Sequence, residues 1–166
     1  MSIGQGLIQE FEREAATTRR VLERVPADKL SWKPHEKSMS MGQLALHIAG
    51  TPGNVTELVS MDSVEIPQFS QPEATSSDEI LSAHDASVAK AKEYLAALSD
   101  ESAMSSWKAT AGGKTMMEVP RIGIIRTILL NHWYHHRGQL SVYLRLTDTP
   151  VPSIYGPSAD ENPFAA

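Results

Sequence analysis

Apolar residues recur at helical intervals in four stretches of the chain. Ile8, Phe11, Ala15, Thr18, Leu22 and Val25 step 3, 4, 3, 4, 3, which marks one face of an amphipathic helix of about six turns. Acids stand early in it and Arg19, Arg20 and Arg24 late, as the helix dipole favours. Pro26 and the segment 28–37 with its Pro34 end it in a connecting loop. A second helix is expected from near Ser40, carrying Leu44, His47, Ile48, Val55 and Leu58 inward, with Gly50, Pro52 and Gly53 predicting a kink or break just after His47. Residues 62–75, with Pro67 and Pro72, read as a long crossover loop.

Ser76 followed by Glu79 supplies a capping box for a third helix, in which Leu81, His84, Val88, Ala91, Leu95 and Leu98 repeat the same steps. The segment 100–114 holds Trp107 and ends in Gly112 and Gly113; a short helical turn and then a loop are expected there. The fourth helix opens near Val119 or Pro120, since proline fits a first turn. On it Ile125, Leu129, His132, His136, Gln139 and Tyr143 form a seam that begins apolar and turns polar. Residues 148–166 hold four of the ten prolines and read as an extended tail laid over the body. Four amphipathic helices and no alternating strand imply an all-α fold, an antiparallel four-helix bundle with a proline-rich C-terminal tail, forming a single domain over residues 1–166.

Charge narrows the function. Fifteen Lys and Arg against twenty Asp and Glu leave a formal charge of −5, which argues against nucleic acid or an anionic membrane surface as partner. With no cysteine, the chain has no disulfide, no thiolate ligand and no thiol nucleophile of its own. Glu10, Glu12 and Glu14 occupy the place of a signal peptide's apolar stretch, and the run Ile122 to Leu130 is broken by Arg126 and too short for a bilayer. A cytoplasmic protein is the expectation.

The chemistry lies in the histidines. His132 and His136, four apart on a helix, put their rings on one face, and His47, inward on a second helix, can reach the same ion from across the bundle. Three imidazoles leave a divalent metal an open position, where a bound water or a substrate thiol becomes a nucleophile near neutral pH. Zinc and nickel both suit imidazole. The bland alternative is a pair of helix histidines at a partly wet interface. His84 reads better as a hydrogen-bonded core residue than as a fourth ligand, and His35 as a solvated loop residue. Arg137 and Gln139 either orient a substrate or a metal-bound water, or form respectively an exposed ion pair and a buried, backbone-satisfied amide. Glu57 and Asp62 are acids with no spacing that brings them to the ion, and catalytic residues stay unassigned.

The segments MGQLALHIAG around His47, NHWYHHRGQLSVYLR at 131–145 and VPSIYGPSADE at 151–161 resemble the DinB-like (damage-inducible) family, grouped with the YfiT-like metal-dependent hydrolases. The resemblance runs from Leu7 to Glu161. It implies an up-down-down-up bundle, often a homodimer, with a nickel or zinc ion on histidines matching His47, His132 and His136. It also implies a small-molecule substrate, with relatives using low-molecular-weight thiols of the bacillithiol or mycothiol type. The function expected on this basis is a metal-dependent enzyme activating a thiol for S-transfer or a water for hydrolysis. The rival is a noncatalytic metal-binding or ligand-sensing bundle. Family membership alone does not fix the reaction.

Overall fold

Four long helices take up the periodic stretches: α1 (Ile3–Leu22), α2 (Met41–Ser60), α3 (Ser77–Ala97) and, after two short helices, α6 (His132–Leu146). The structure is a computed structural model that describes residues 1–68 and 70–165; Phe69 of the expected crossover and Ala166 of the expected tail lie outside the described residues. Ser2, Ser40 and Ser76 each accept the N3 backbone N–H of the helix they precede. At Ser2 and Ser40 a glutamine completes the capping box. At α3 the Glu79 carboxylate instead takes the Thr75 N–H at 2.7 Å, one residue further back. Helix α1 packs on α3 and α6, and α2 packs on the same two. The interior they enclose is led by Phe11, Leu22, Leu44, Ile48, Ile80, Leu95 and Trp133. Among the described residues no helix is long and apolar enough to cross a membrane.

The expectation of an all-α four-helix bundle is overturned by a three-stranded sheet. Strand β1 (Ser63–Glu65) lies inside the expected crossover and pairs in parallel with β2 (Ser106–Ala111), which pairs antiparallel with β3 (Lys114–Pro120). The fold is mixed α and β. The expected helical turn exists as α4 (Asp100–Met104), but the loop expected after it is a hairpin. Gly112 and Gly113 turn that hairpin with φ of 56° and 74°, a left-handed pair that matches strand twist and that other residues adopt only with strain.

Short α5 (Arg121–Ile124) opens directly after Pro120 and continues through a π-helical stretch, Ile125–Asn131, into α6. A π turn winds more slowly than an α turn. The buried series therefore runs Ile125, Leu129, Trp133, Arg137, Leu140, Leu144, and the expected seam of His132, His136, Gln139 and Tyr143 is displaced to its edge.

The sheet and α5 close the C-terminal end of α2, whose last carbonyls have no partner within the helix. Trp107 Nε1 donates to Leu58 O at 3.1 Å, Tyr94 Oη to Val59 O at 3.1 Å and Arg121 Nε to Val59 O at 2.7 Å. The buried Arg121 also pairs with Asp62 at 2.6 Å, so its charge sits where the helix dipole is negative. The tail runs over α1 and α6 without helix or strand. Arg20 meets Glu161 there, Arg145 meets Asp160, and Val151 N–H donates to Asp160 at 2.8 Å.

Candidate metal centre

Helix α2 does not end at its glycine-proline interruption. It runs unbroken from Met41 to Ser60 with Pro52 inside. Proline has no N–H to offer the carbonyl four residues back, which here belongs to Ile48. That carbonyl instead accepts the indole N–H of Trp133 at 2.8 Å. The neighbouring Gly53 N–H donates to Ser87 Oγ at 2.7 Å, and Ser87 Oγ donates to Gly50 O at 3.1 Å, tying α3 to the same turn. A β-carbon at Gly53 would lie 3.1 Å from Ser87 Cα, so any larger residue would push the two backbones a few tenths of an ångström apart.

The consequence is positional. Ile48 follows His47 and Trp133 follows His132, so one buried hydrogen bond fixes the two histidine-bearing helices in register. Trp133 is held further by stacking on Phe11, with ring centroids 5.3 Å apart. From this frame His47, His132 and His136 converge, with one ligand nitrogen from each within 4.8 Å of the others. Ring centroids are 4.3 Å apart for His132 and His136, 4.6 Å for His47 and His136, and 5.3 Å for His47 and His132. All three pairs are close to perpendicular, at 84° to 87°.

The nitrogens suit a cation. His136 Nδ1 faces the Gln139 side-chain oxygen at 2.7 Å; Nδ1–H donates there, which leaves Nε2 with a free lone pair. His132 Nε2 lies 2.8 Å from that Nε2, so two ring nitrogens aim at one small volume, and a divalent ion fits this set of neutral donors. Thr51 Oγ1 is committed to His47 O at 2.6 Å.

Burial, followed by the neighbouring His136 and His132, brings the His47 pKa from the usual 6.5 down to about 4. His132 and His136 are lowered too, in both cases chiefly by burial. All three imidazoles are therefore neutral near pH 7 and ready to ligate. The sign of the pH effect follows. Between about 6.5 and about 4 the unfolded chain holds the proton that folded His47 refuses, so the metal-free protein loses stability as pH falls through that window. Urea midpoints of chelator-treated protein should drop more steeply there than those of His47→Gln. Equal slopes would show that folding does not depress the His47 pKa.

The three rings open onto a cavity of about 450 Å³ that is also lined by Met39, Thr51, Asn54, Val55, Leu58, Ser70, Gln71 and Ile128. Thr51 and Asn54 stand four and seven residues after His47 on the same helix face, a spacing readable in the chain but passed over. The other candidates lie elsewhere. His84 is buried and stacked on Trp133 at 6.3 Å, with Nδ1 3.4 Å from Asp85 and, among the described residues, no hydrogen-bond partner for Nε2. His35 accepts the Lys37 N–H, and His135 is exposed. Glu57 pairs with Lys90, and Asp62 with Arg121.

Arg137 and Gln139 exchange the surroundings expected of them. Gln139 is exposed, whereas Arg137 is 1% exposed and its charge is spent on the frame. It pairs with Glu14 at 2.6 Å, donates to Thr18 Oγ1 at 3.1 Å and to Tyr155, and lies over the Tyr134 and Tyr155 rings. It binds α6 to α1 and the tail, not a substrate.

This fold is shared with solved proteins described as DinB-like. One from Bacillus cereus ATCC 10987 matches with a TM-score of 0.74 at 21% identity, covering 93% of this chain and 98% of that one. Another, YjoA from Bacillus subtilis, matches with a TM-score of 0.69 at 18% identity, covering 90% and 97%. The chain belongs to the DinB family, which it matches over residues 1–163. Among curated proteins it is similar to the Bacillus subtilis protein YrdA, at 26% identity over 155 residues, or 93% of this chain and 89% of that protein.

Proposed function

We propose that the protein is a metal-dependent enzyme in which His47, His132 and His136 hold one divalent ion, zinc or nickel, and a small-molecule thiol or a water is activated for transfer or hydrolysis. The observation that carries this reading is the convergence of three neutral imidazoles from two helices on one open cavity. A bound ion would lower the pKa of a thiol or water that reaches it and polarise an electrophile beside it. Gln139 holds the His136 ring by its Nδ1–H, and the Trp133 to Ile48 bond keeps α2 and α6 from shifting. Apolar Val55, Leu58 and Ile128 limit water on one side of the cavity.

The described residues lining this cavity include no carboxylate. A thiol, with an ordinary pKa near 8.5, needs far less help to ionise than water at about 15.7, and this favours thiol transfer over hydrolysis. The test uses untagged protein. About one equivalent of zinc or nickel should copurify, and the visible spectrum of the cobalt-substituted protein should shift when ethanethiol is added. A metal-bearing protein whose cobalt spectrum ignores thiols and small anions would instead be the noncatalytic bundle, and protein without metal would end both readings.

A further inference from the structure

Beside the histidine cavity lies a second space of about 210 Å³, between the sheet and the π-helical stretch. Its lining is carbon almost throughout: Val64 on β1, Trp107 and Ala109 on β2, Met117 on β3, and Ile124 with Ile128 from the last helical segment. Trp107 spends its only polar group on Leu58 O, so the face it turns to this space is apolar. Val55, Leu58 and Ile128 line both spaces, which makes the second an extension of the first. The strands and the π stretch, which the four-helix reading did not contain, are what build it.

We infer that this space is an apolar subsite: it takes an aromatic ring or a short branched alkyl group belonging to the ligand whose polar end lies at the histidines. The inference rests on the reading of the histidine cavity as the reaction site. Size supports it, because an apolar cavity of about 150 Å³ holds benzene in an engineered protein. Position supports it as well, because Val55, Leu58 and Ile128 border both spaces, so a group seated against Trp107 and Val64 lies next to the histidine cavity. Ile128 is 39% exposed despite its apolar side chain, as expected of a residue at the junction of two open spaces rather than in a closed core.

Two measurements separate this subsite from the metal reading. In chelator-treated protein, toluene should bind saturably and shift the methyl resonances of Val55, Val64, Ile124 and Ile128 while leaving those of Val21 and Leu140 in place. In cobalt-substituted protein, benzyl mercaptan should bind about 10- to 100-fold more tightly than ethanethiol, the range given by burying a ring the size of a phenylalanine side chain. Ala109→Leu, which fills the space from β2, should remove both effects. Met117→Trp does the same from the largely solvent-facing β3 and guards against a folding failure of the first variant. Equal affinity for the two thiols, or toluene shifts that neither variant suppresses, would overturn the subsite and leave the metal reading intact. A cobalt spectrum blind to both thiols while toluene still saturates would keep the apolar space as a binding site and sink thiol activation at the metal, leaving the noncatalytic bundle.

Discussion

His132→Ala should lose its metal and keep its fold. Truncating one of three ligands is expected to weaken binding by more than about 100-fold, since even partners outside the ligand set commonly contribute about 10- to 100-fold. The stability readout is larger still. Metal at about a thousand times its dissociation constant stabilises the wild-type chain by about 4 kcal/mol, or about 8–16 °C in Tm for a chain of this size. At a 100-fold weaker affinity the variant would keep only about 1.4 kcal/mol of that gain, and less for any larger loss. In chelator the two proteins should melt close together, because the His132 ring sits at the wall of an open cavity and truncating it leaves no sealed void. Truncation also removes the smallest of the three causes that depress the His47 pKa, after burial and His136. Dialysis against zinc or nickel, metal analysis and melting curves with and without chelator decide it. A variant that binds one equivalent as tightly as wild type would remove His132 from the site.

Breaking the bond between Trp133 and Ile48 should cost nearly as much, by a different route. Trp133→Ala deletes a fully buried ring, which typically costs about 3–5 kcal/mol. Trp133→Phe retains most of the packing against Phe11 but strands the Ile48 carbonyl, which costs about 1–3 kcal/mol. Pro52→Ala restores a backbone N–H at the position that normally serves that carbonyl. The double variant Pro52→Ala with Trp133→Phe should therefore be more stable than the sum of its single changes by about 0.5–3 kcal/mol. Urea unfolding of the four proteins measures this coupling. Strict additivity would mean that the proline and the indole do not share the carbonyl.

The four long helices were legible because each buries one stripe over many turns, and a 3.6-residue period is hard to produce otherwise. The histidine cluster was legible for the same reason, with His132 and His136 one turn apart and His47 on an inward face. The sheet was not. β3 turns nearly every side chain to solvent, so it shows none of the alternation that marks a half-buried strand. β1 has only three residues, and its pairing partner lies more than forty positions away. Gly112 and Gly113 were a hairpin signal: Ser106–Ala111 before them alternates polar and apolar residues and buries Trp107 and Ala109, but the exposed strand after them supplies no matching alternation. The exchange between Arg137 and Gln139 has a separate cause. Extending a regular helix from Ile125 puts Gln139 inside, and the wide turns before His132 rotate Arg137 there instead.

The exposed strand β3 has one more consequence. Among the described residues only β2 pairs with it, so its outer backbone groups form a template that another polypeptide could extend into a larger sheet. Lys114 and Glu118 place charge along this border, and Pro120 closes it with a residue that has no amide hydrogen to offer. Such features discourage edge-to-edge association. They let the exposed Met116 stand in water without turning the hairpin into a seed for aggregates.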